Sequence, residues 1–234
     1  MTRVELVVFD WDGTLMDSAA RIVEAVNAAV AASGLPPRSE DAIRGIIGLG
    51  MHEAIEALYP DAGGHAHQRL AAAYRDAFVR AVAERPASLF PGVEGVLGEL
   101  EAGRRMLAIA TGKSRTGLAR DLERSGVGHR FVASRTVDES PSKPEPQMLE
   151  EVMALCGVGP EATVLVGDTL FDMEMAARAG VPAVAVAWGV HEAARLRPAA
   201  PLGVLDRIEQ LPQCLHAHEA APASAADTRA TESD

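Results

Sequence analysis

Residues 4–14 read VELVVFDWDGT. The first six are apolar or β-branched with a single glutamate, and the run stops at a segment of aspartates and glycine. That is the pattern of a buried strand running into a loop. Similar runs occur at 106–110, 163–166 and 181–187, with a weaker one at 130–133. Helical patterns lie between or beside them, over 91–101, 114–125, 144–155 and 170–179. Gly126, Gly157 and Gly180 stand within two residues of the ends of three of these patterns, as expected where the residue after a helix turns left-handed. Strands alternating with helices predict an α/β fold, a doubly wound parallel sheet with helices on both faces.

The alternation breaks after the first strand. Between residues 16 and 88 the patterns are helical throughout, over 18–33, 39–47, 52–58 and 68–84, with no convincing strand. This stretch reads as an inserted helical subdomain over the carboxyl edge of the sheet. The chain from 217 onward is rich in Ala, Ser, Thr and Asp, without a large apolar residue, and is expected to be disordered. The expected organisation is thus an α/β core over 1–15 and 89–216, a helical cap over 16–88 and a disordered tail over 217–234.

Composition excludes several classes. The chain of 234 residues has 33 acidic and 22 basic residues, a formal net charge of -11. An acidic chain is poorly suited to nucleic acid, which calls for a basic face toward phosphates. No apolar run reaches the roughly 18 residues of a membrane span, and the N-terminus carries no signal-peptide pattern. Cys156 and Cys214 are isolated, which suits a reducing cytoplasm better than a disulfide framework. Lys113 and Lys143 are the only lysines, so any chemistry that needs an ammonium has two candidates.

Four segments fall after predicted strands, where open α/β sheets bind ligands. They are Asp10-Trp11-Asp12-Gly13-Thr14, Thr111-Gly112, Ser142-Lys143-Pro144-Glu145-Pro146, and Gly167-Asp168-Thr169-Leu170-Phe171-Asp172. Four carboxylates gathered in one cleft repel unless a cation sits among them, and an all-oxygen set favours Mg²⁺. A lysine, a threonine hydroxyl and a glycine N–H suit phosphoryl oxygens. A carboxylate beside a cation stays ionised and can attack as a nucleophile. A second acid two residues on can protonate a leaving alkoxide and then deprotonate water. Together these groups point to phosphoryl transfer through an aspartyl-phosphate.

These motifs, in this order, resemble those of the haloacid dehalogenase superfamily of phosphohydrolases, in the branch similar to phosphoglycolate phosphatase. The resemblance covers everything but the tail, with the insert where that branch carries its helical cap. It implies Asp10 as nucleophile and Asp12 as general acid/base. Thr111 and the Gly112 N–H would hold the phosphoryl group, with Lys143 neutralising charge. Mg²⁺ would be bound by the Asp10 carboxylate, the Asp12 carbonyl and the Asp168 carboxylate, while Asp172 would act through water or orient Lys143. Gly48-Leu49-Gly50 would be a cap loop that dips into the site and helps select substrate. Trp11, less usual between the two aspartates, is expected to point away from the metal. Cap motion would hinge near 16–18 and 84–89.

The expected reaction is hydrolysis of a small phosphorylated metabolite, 2-phosphoglycolate being the first guess. Asp12 argues against dehalogenation, and the absence of lysine between 16 and 88 removes the Schiff-base route of C–P cleavage. A sugar-phosphate mutase, gripping a second phosphate through Arg21, Arg44 or Arg75, stays open as an alternative. A receiver-type signalling module orders its acids differently and has no insert. Other features read as structural. Lys113 is expected to be solvated at a helix start, and His65 and His67 to lie in a solvated Gly-Gly loop. LAIATGKS, residues 107–114, misses the phosphate-binding loop pattern because position 107 is leucine.

Overall fold

The computed structural model describes residues 3–84 and 87–221. Its centre is a six-stranded parallel sheet in the order β3-β2-β1-β4-β5-β6. The strands are β1 (Leu6–Phe9), β2 (Met106–Thr111), β3 (Phe131–Thr136), β4 (Thr163–Gly167), β5 (Ala183–Val186) and β6 (Val204–Leu205). Side chains alternate across the sheet with period two. Val7 and Phe9 face one core with Val93, Leu97 and Leu100 of α5 (Val93–Ala102), Leu118 of α6 (Arg115–Ser125) and Leu211 of the last helix. Leu6 and Val8 face the other, with Leu149 and Val152 of α7 (Gln147–Cys156) and Met175 of α8 (Leu170–Arg178). The fold is therefore the doubly wound α/β sheet the alternation predicts, covered on both faces.

Register places the functional segments. Phe9 lies opposite both Ile109 of β2 and Val166 of β4. Asp10, Thr111 and Asp168 therefore leave the sheet within a residue or two of the same level. This is the carboxyl edge at the point where the order reverses around β1, the crevice in which such sheets bind ligands.

Between β1 and α5 the described residues form four helices, α1 (Ala19–Ser33), α2 (Glu40–Arg44), α3 (Met51–Leu58) and α4 (Gly64–Glu84). Their own apolar core joins Ile22, Val26 and Ala29 of α1 to Ile43, Ile55, Leu58 and Leu70. The two connections to the sheet run side by side: Asp17 N–H donates to Ser88 O at 2.9 Å, and Phe90 N–H to Leu15 O at 2.9 Å. Residues 85–86, within the second connection, lie outside the described residues.

Three local expectations change. Residues 202–205 carry too short an apolar run to signal a strand, yet Val204 and Leu205 pair with β5 as β6. The expected tail from 217 starts too early. After the short α9 (Ala193–Leu196), helix α10 (Leu211–Ala220) continues through 220, because Arg105 and the Val4 N–H both bind the Glu219 carboxylate, at 2.9 Å each. Residues 222–234 lie outside the described residues. His65 and His67 belong to the first turns of α4, not to a loop, and His67 Nε2 lies 2.8 Å from Tyr59 O. Among the described residues no helix is long and apolar enough to cross a membrane.

Candidate active site

The chain turns sharply after β1. Gly13 has φ 91°, and a Cβ there would sit 2.4 Å from Asp168 Oδ2. Glycine meets both demands, a left-handed backbone and close approach to a carboxylate. Asp10 is only 1% exposed. Its Oδ1 is 2.7 Å from Lys143 Nζ, while Oδ2 is buried with no hydrogen-bonding partner among the described residues. Burial pushes the Asp10 carboxyl up to about 7; the neighbouring Lys143 opposes this and the Asp172 charge adds to it.

Lys143 is enclosed between two carboxylates, with Asp172 Oδ1 at 2.6 Å. Burial alone would lower its ammonium, but Asp10 and Asp172 outweigh it and hold the group above the ordinary lysine range. Asp172 also caps α8: its other oxygen accepts from Thr169 N–H at 3.0 Å and Thr169 Oγ1 at 2.7 Å, while Thr169 Oγ1 accepts from Asp172 N–H. One carboxylate thus fixes a helix start and orients the lysine. Asp168 accepts from Thr14 Oγ1 at 2.7 Å and Val190 N–H at 2.8 Å. Burial, then Asp10 and Asp172, hold its carboxyl well above the usual range.

Asp10, Asp168 and Asp172 each offer an oxygen, all within 4.8 Å of one another and all buried. Three buried carboxylates, one with an unpartnered oxygen, carry more negative charge than a single lysine balances. The residues fit a hard divalent cation.

Thr111 is buried, and its Oγ1 accepts from Lys113 N–H at 3.2 Å, leaving the hydroxyl proton free to donate. Gly112 meets the 48–50 loop of the helical insert directly. A Cβ there would lie 2.3 Å from Gly48 O and 2.8 Å from Leu49 O, and Gly50 N–H donates to Ser142 Oγ at 2.8 Å. Gly48-Leu49-Gly50 therefore sits on the sheet edge between the segments that carry Thr111 and Lys143.

Lys113 is not solvated. Its ammonium lies 2.9 Å from Asp12 Oδ1, 3.1 Å from Asp121 Oδ2 and 5.1 Å from the centre of the Phe78 ring. Burial opposes its charge, and the Asp12 and Asp121 carboxylates overcome that to raise its pKa. The residue opens α6, but α4 closes over it with Phe78, and a fold-distant partner of this kind leaves no local signal. Asp12 also accepts from Ser18 Oγ at 2.7 Å. Trp11 points away from the carboxylates: it packs against Phe131 in the core and aims Nε1 at Asp121, 3.4 Å away.

A further buried group is His191. Its Nδ1 accepts from Leu170 N–H at 3.0 Å, and burial with nearby Arg195 pushes its pKa down to about 4, so the ring is neutral at pH 7. Asp10, Asp12, Thr111, Gly112, Lys143, Asp168 and Asp172 all gather at one edge.

A match to the haloacid dehalogenase-like hydrolases covers residues 7–186. The chain is 33% identical over 217 residues to "Probable phosphatase IndB" of Dickeya dadantii, covering 91% of this chain and 94% of that one. It is 31% identical over 218 residues to phosphoglycolate phosphatase 1 of Pseudomonas aeruginosa, covering 89% and 79%. The fold matches the crystal structure of a predicted phosphoglycolate phosphatase from Haemophilus somnus with a TM-score of 0.80, at 23% identity, over 91% of this chain and 98% of that one.

Proposed function

The chain belongs to the haloacid dehalogenase-like hydrolases, and from that we propose that it is a Mg²⁺-dependent phosphatase that hydrolyses a small phosphomonoester through phosphorylated Asp10. The observation that carries the reading is the Asp10 carboxylate itself. It is buried, ion-paired to Lys143 through one oxygen and free at the other, beside two further buried carboxylates.

Asp10 attacks phosphorus, and the bond from phosphorus to the ester oxygen breaks. Asp12, two residues along the same turn and ion-paired with Lys113, takes up the proton of the phosphate monoanion as substrate binds and delivers it to the departing alkoxide. It then takes a proton from water, which attacks the aspartyl-phosphate and restores Asp10. Thr111 Oγ1 and Gly112 N–H bind phosphoryl oxygens, and Lys143 neutralises them along with Asp10. The Asp10 and Asp168 carboxylates and the Asp12 carbonyl would hold Mg²⁺, which would supply charge neutralisation for the phosphoryl group. Asp172 orients Lys143 through their 2.6 Å contact. The loop at 48–50 closes the site from water.

Because a relative is named phosphoglycolate phosphatase, 2-phosphoglycolate is the first substrate to assay. For the mutase alternative, Arg44 is paired with Glu40 and Arg21 donates to Asp17 O. Arg75 alone of the three lines the cavity over Asp10. Asp10→Asn should abolish Mg²⁺-dependent release of phosphate from phosphomonoesters. Wild-type turnover by that variant would overturn the assignment.

A further inference from the structure

A cavity of about 620 Å³ runs from the carboxyl edge of the sheet into the helical insert. Asp10, Asp12, Thr111 and Lys113 form its floor. Its walls are apolar side chains of α1, α3 and α4, among them Ile22, Val26, Ile55, Leu58 and Leu70. Each of these five is no more than 8% exposed, so they belong to the core of the insert and still leave a space between them. Apolar voids cost stability roughly in proportion to their volume, because the atoms that line them lose partners. An insert selected for packing alone would close this one. The wall instead carries alanine at Ala29 and Ala54, where a larger side chain would fill it.

Volume and charge both constrain the occupant. The size lies in the range of about 300–1,000 Å³ that holds drug-sized ligands, far more than a glycolate group occupies. The Lys113 ammonium is taken up by Asp12 and Asp121, Arg120 lies 3.6 Å from Asp121, and Arg75 is exposed. Deeper in, the described lining on α1 and α3 has no charged side chain. Polar groups of Tyr74, Arg75 and Thr116 also line the cavity, but a carboxylate or a sugar set against the α1 and α3 wall would lose its hydration without finding a charged partner there.

We propose that the natural substrate is a phosphomonoester of a bulky apolar alcohol, whose alcohol half fills this cavity while the phosphate lies at Asp10. The proposal rests on the phosphatase reading and specifies its substrate class.

The test is kcat/KM with Mg²⁺ on a series of n-alkyl monophosphates and 1-naphthyl phosphate, beside 2-phosphoglycolate and ribose 5-phosphate. Expected is a rise of about three- to fourfold per added methylene, with 1-naphthyl phosphate exceeding 2-phosphoglycolate by at least about tenfold. Ala29→Leu and Ala54→Leu narrow the cavity. Each should lower the ratio of 1-naphthyl to methyl phosphate turnover about tenfold, a ratio that does not depend on how much of the variant is folded. A flat alkyl series, or preference for 2-phosphoglycolate or ribose 5-phosphate, overturns the substrate class and leaves the phosphatase reading standing. No hydrolysis of any phosphomonoester overturns that reading, and this one with it.

Discussion

Gly112→Ala isolates the contact between the loop at 48–50 and the sheet edge. The added Cβ would stand 2.3 Å from Gly48 O, 2.8 Å from Gly48 C and 2.8 Å from Leu49 O. All three are backbone atoms, so no side chain can swing aside. Ordinary contact begins at 3.4 Å, and the loop must therefore retreat by about 1 Å. Gly112 itself is not in a positive-φ conformation, and alanine keeps its N–H for the phosphoryl group. The perturbation is confined to loop docking. In stability it loosens the Gly50 to Ser142 hydrogen bond, about 0.5–1.5 kcal/mol, which lowers the melting temperature by only a few degrees. In catalysis a misplacement of about 1 Å can cost about 10²-fold, or about 2.7 kcal/mol of barrier. Steady-state phosphatase kinetics and a melting curve on one preparation read both quantities. A folded variant with kcat/KM within about threefold of wild type would refute the claim that docking of 48–50 completes the site.

Other outcomes follow from the buried charges. Lys113→Met keeps the stem of the side chain but leaves Asp12 and Asp121 without their shared cation, which should cost about 3–5 kcal/mol; adding Asp121→Asn should recover part of it, and a loss below about 1 kcal/mol by denaturant unfolding would sink this account. Lys143→Arg puts a planar, larger cation between Asp10 and Asp172; turnover should fall at least about 10²-fold while far-UV circular dichroism stays native, and near-normal turnover would show that any cation serves. The Asp10 carboxyl, raised from 3.8 to about 7 by burial, binds its proton more tightly in the native protein than in the unfolded chain. Its contribution to stability is full below the unfolded value and is lost as pH rises through about 7. In EDTA the protein should melt lower at pH 8 than at pH 5.5, and Mg²⁺ should raise the melting temperature more at pH 8; equal Mg²⁺ shifts at both would contradict the proposed ligand set.

The sheet was legible because its strands are near-continuous apolar runs, as parallel strands buried on both faces must be. The order Asp10-x-Asp12, Thr111, Lys143, Asp168 was legible for a related reason: each follows a strand, and parallel strands deliver their ends to one edge. Val204–Leu205 escaped because two residues carry no period, and pairing with β5 alone makes them a strand. The end of α10 escaped because Glu219 is held by Arg105, more than a hundred residues away in sequence. Lys113 was misread for the same kind of reason. Its local pattern is a helix start, and its burial comes from Asp12 on another loop and Phe78 on the insert. The size and apolar character of the cavity depend on which faces of α1, α3 and α4 meet, and periodicity does not record that.

The paired connections between sheet and insert bear on how this protein can be re-engineered. Asp17 N–H to Ser88 O and Phe90 N–H to Leu15 O tie the outgoing and returning strands together residue by residue. Lengthening either strand alone shifts one against the other and breaks that ladder. A foreign helical insert is therefore best exchanged as a cassette with both junctions beyond this pairing, after Asp17 and before Ser88. Ser18, the first residue of such a cassette, carries the hydroxyl that binds Asp12. Chimaeras should then sort by what they place at that single position as much as by the helices they bring.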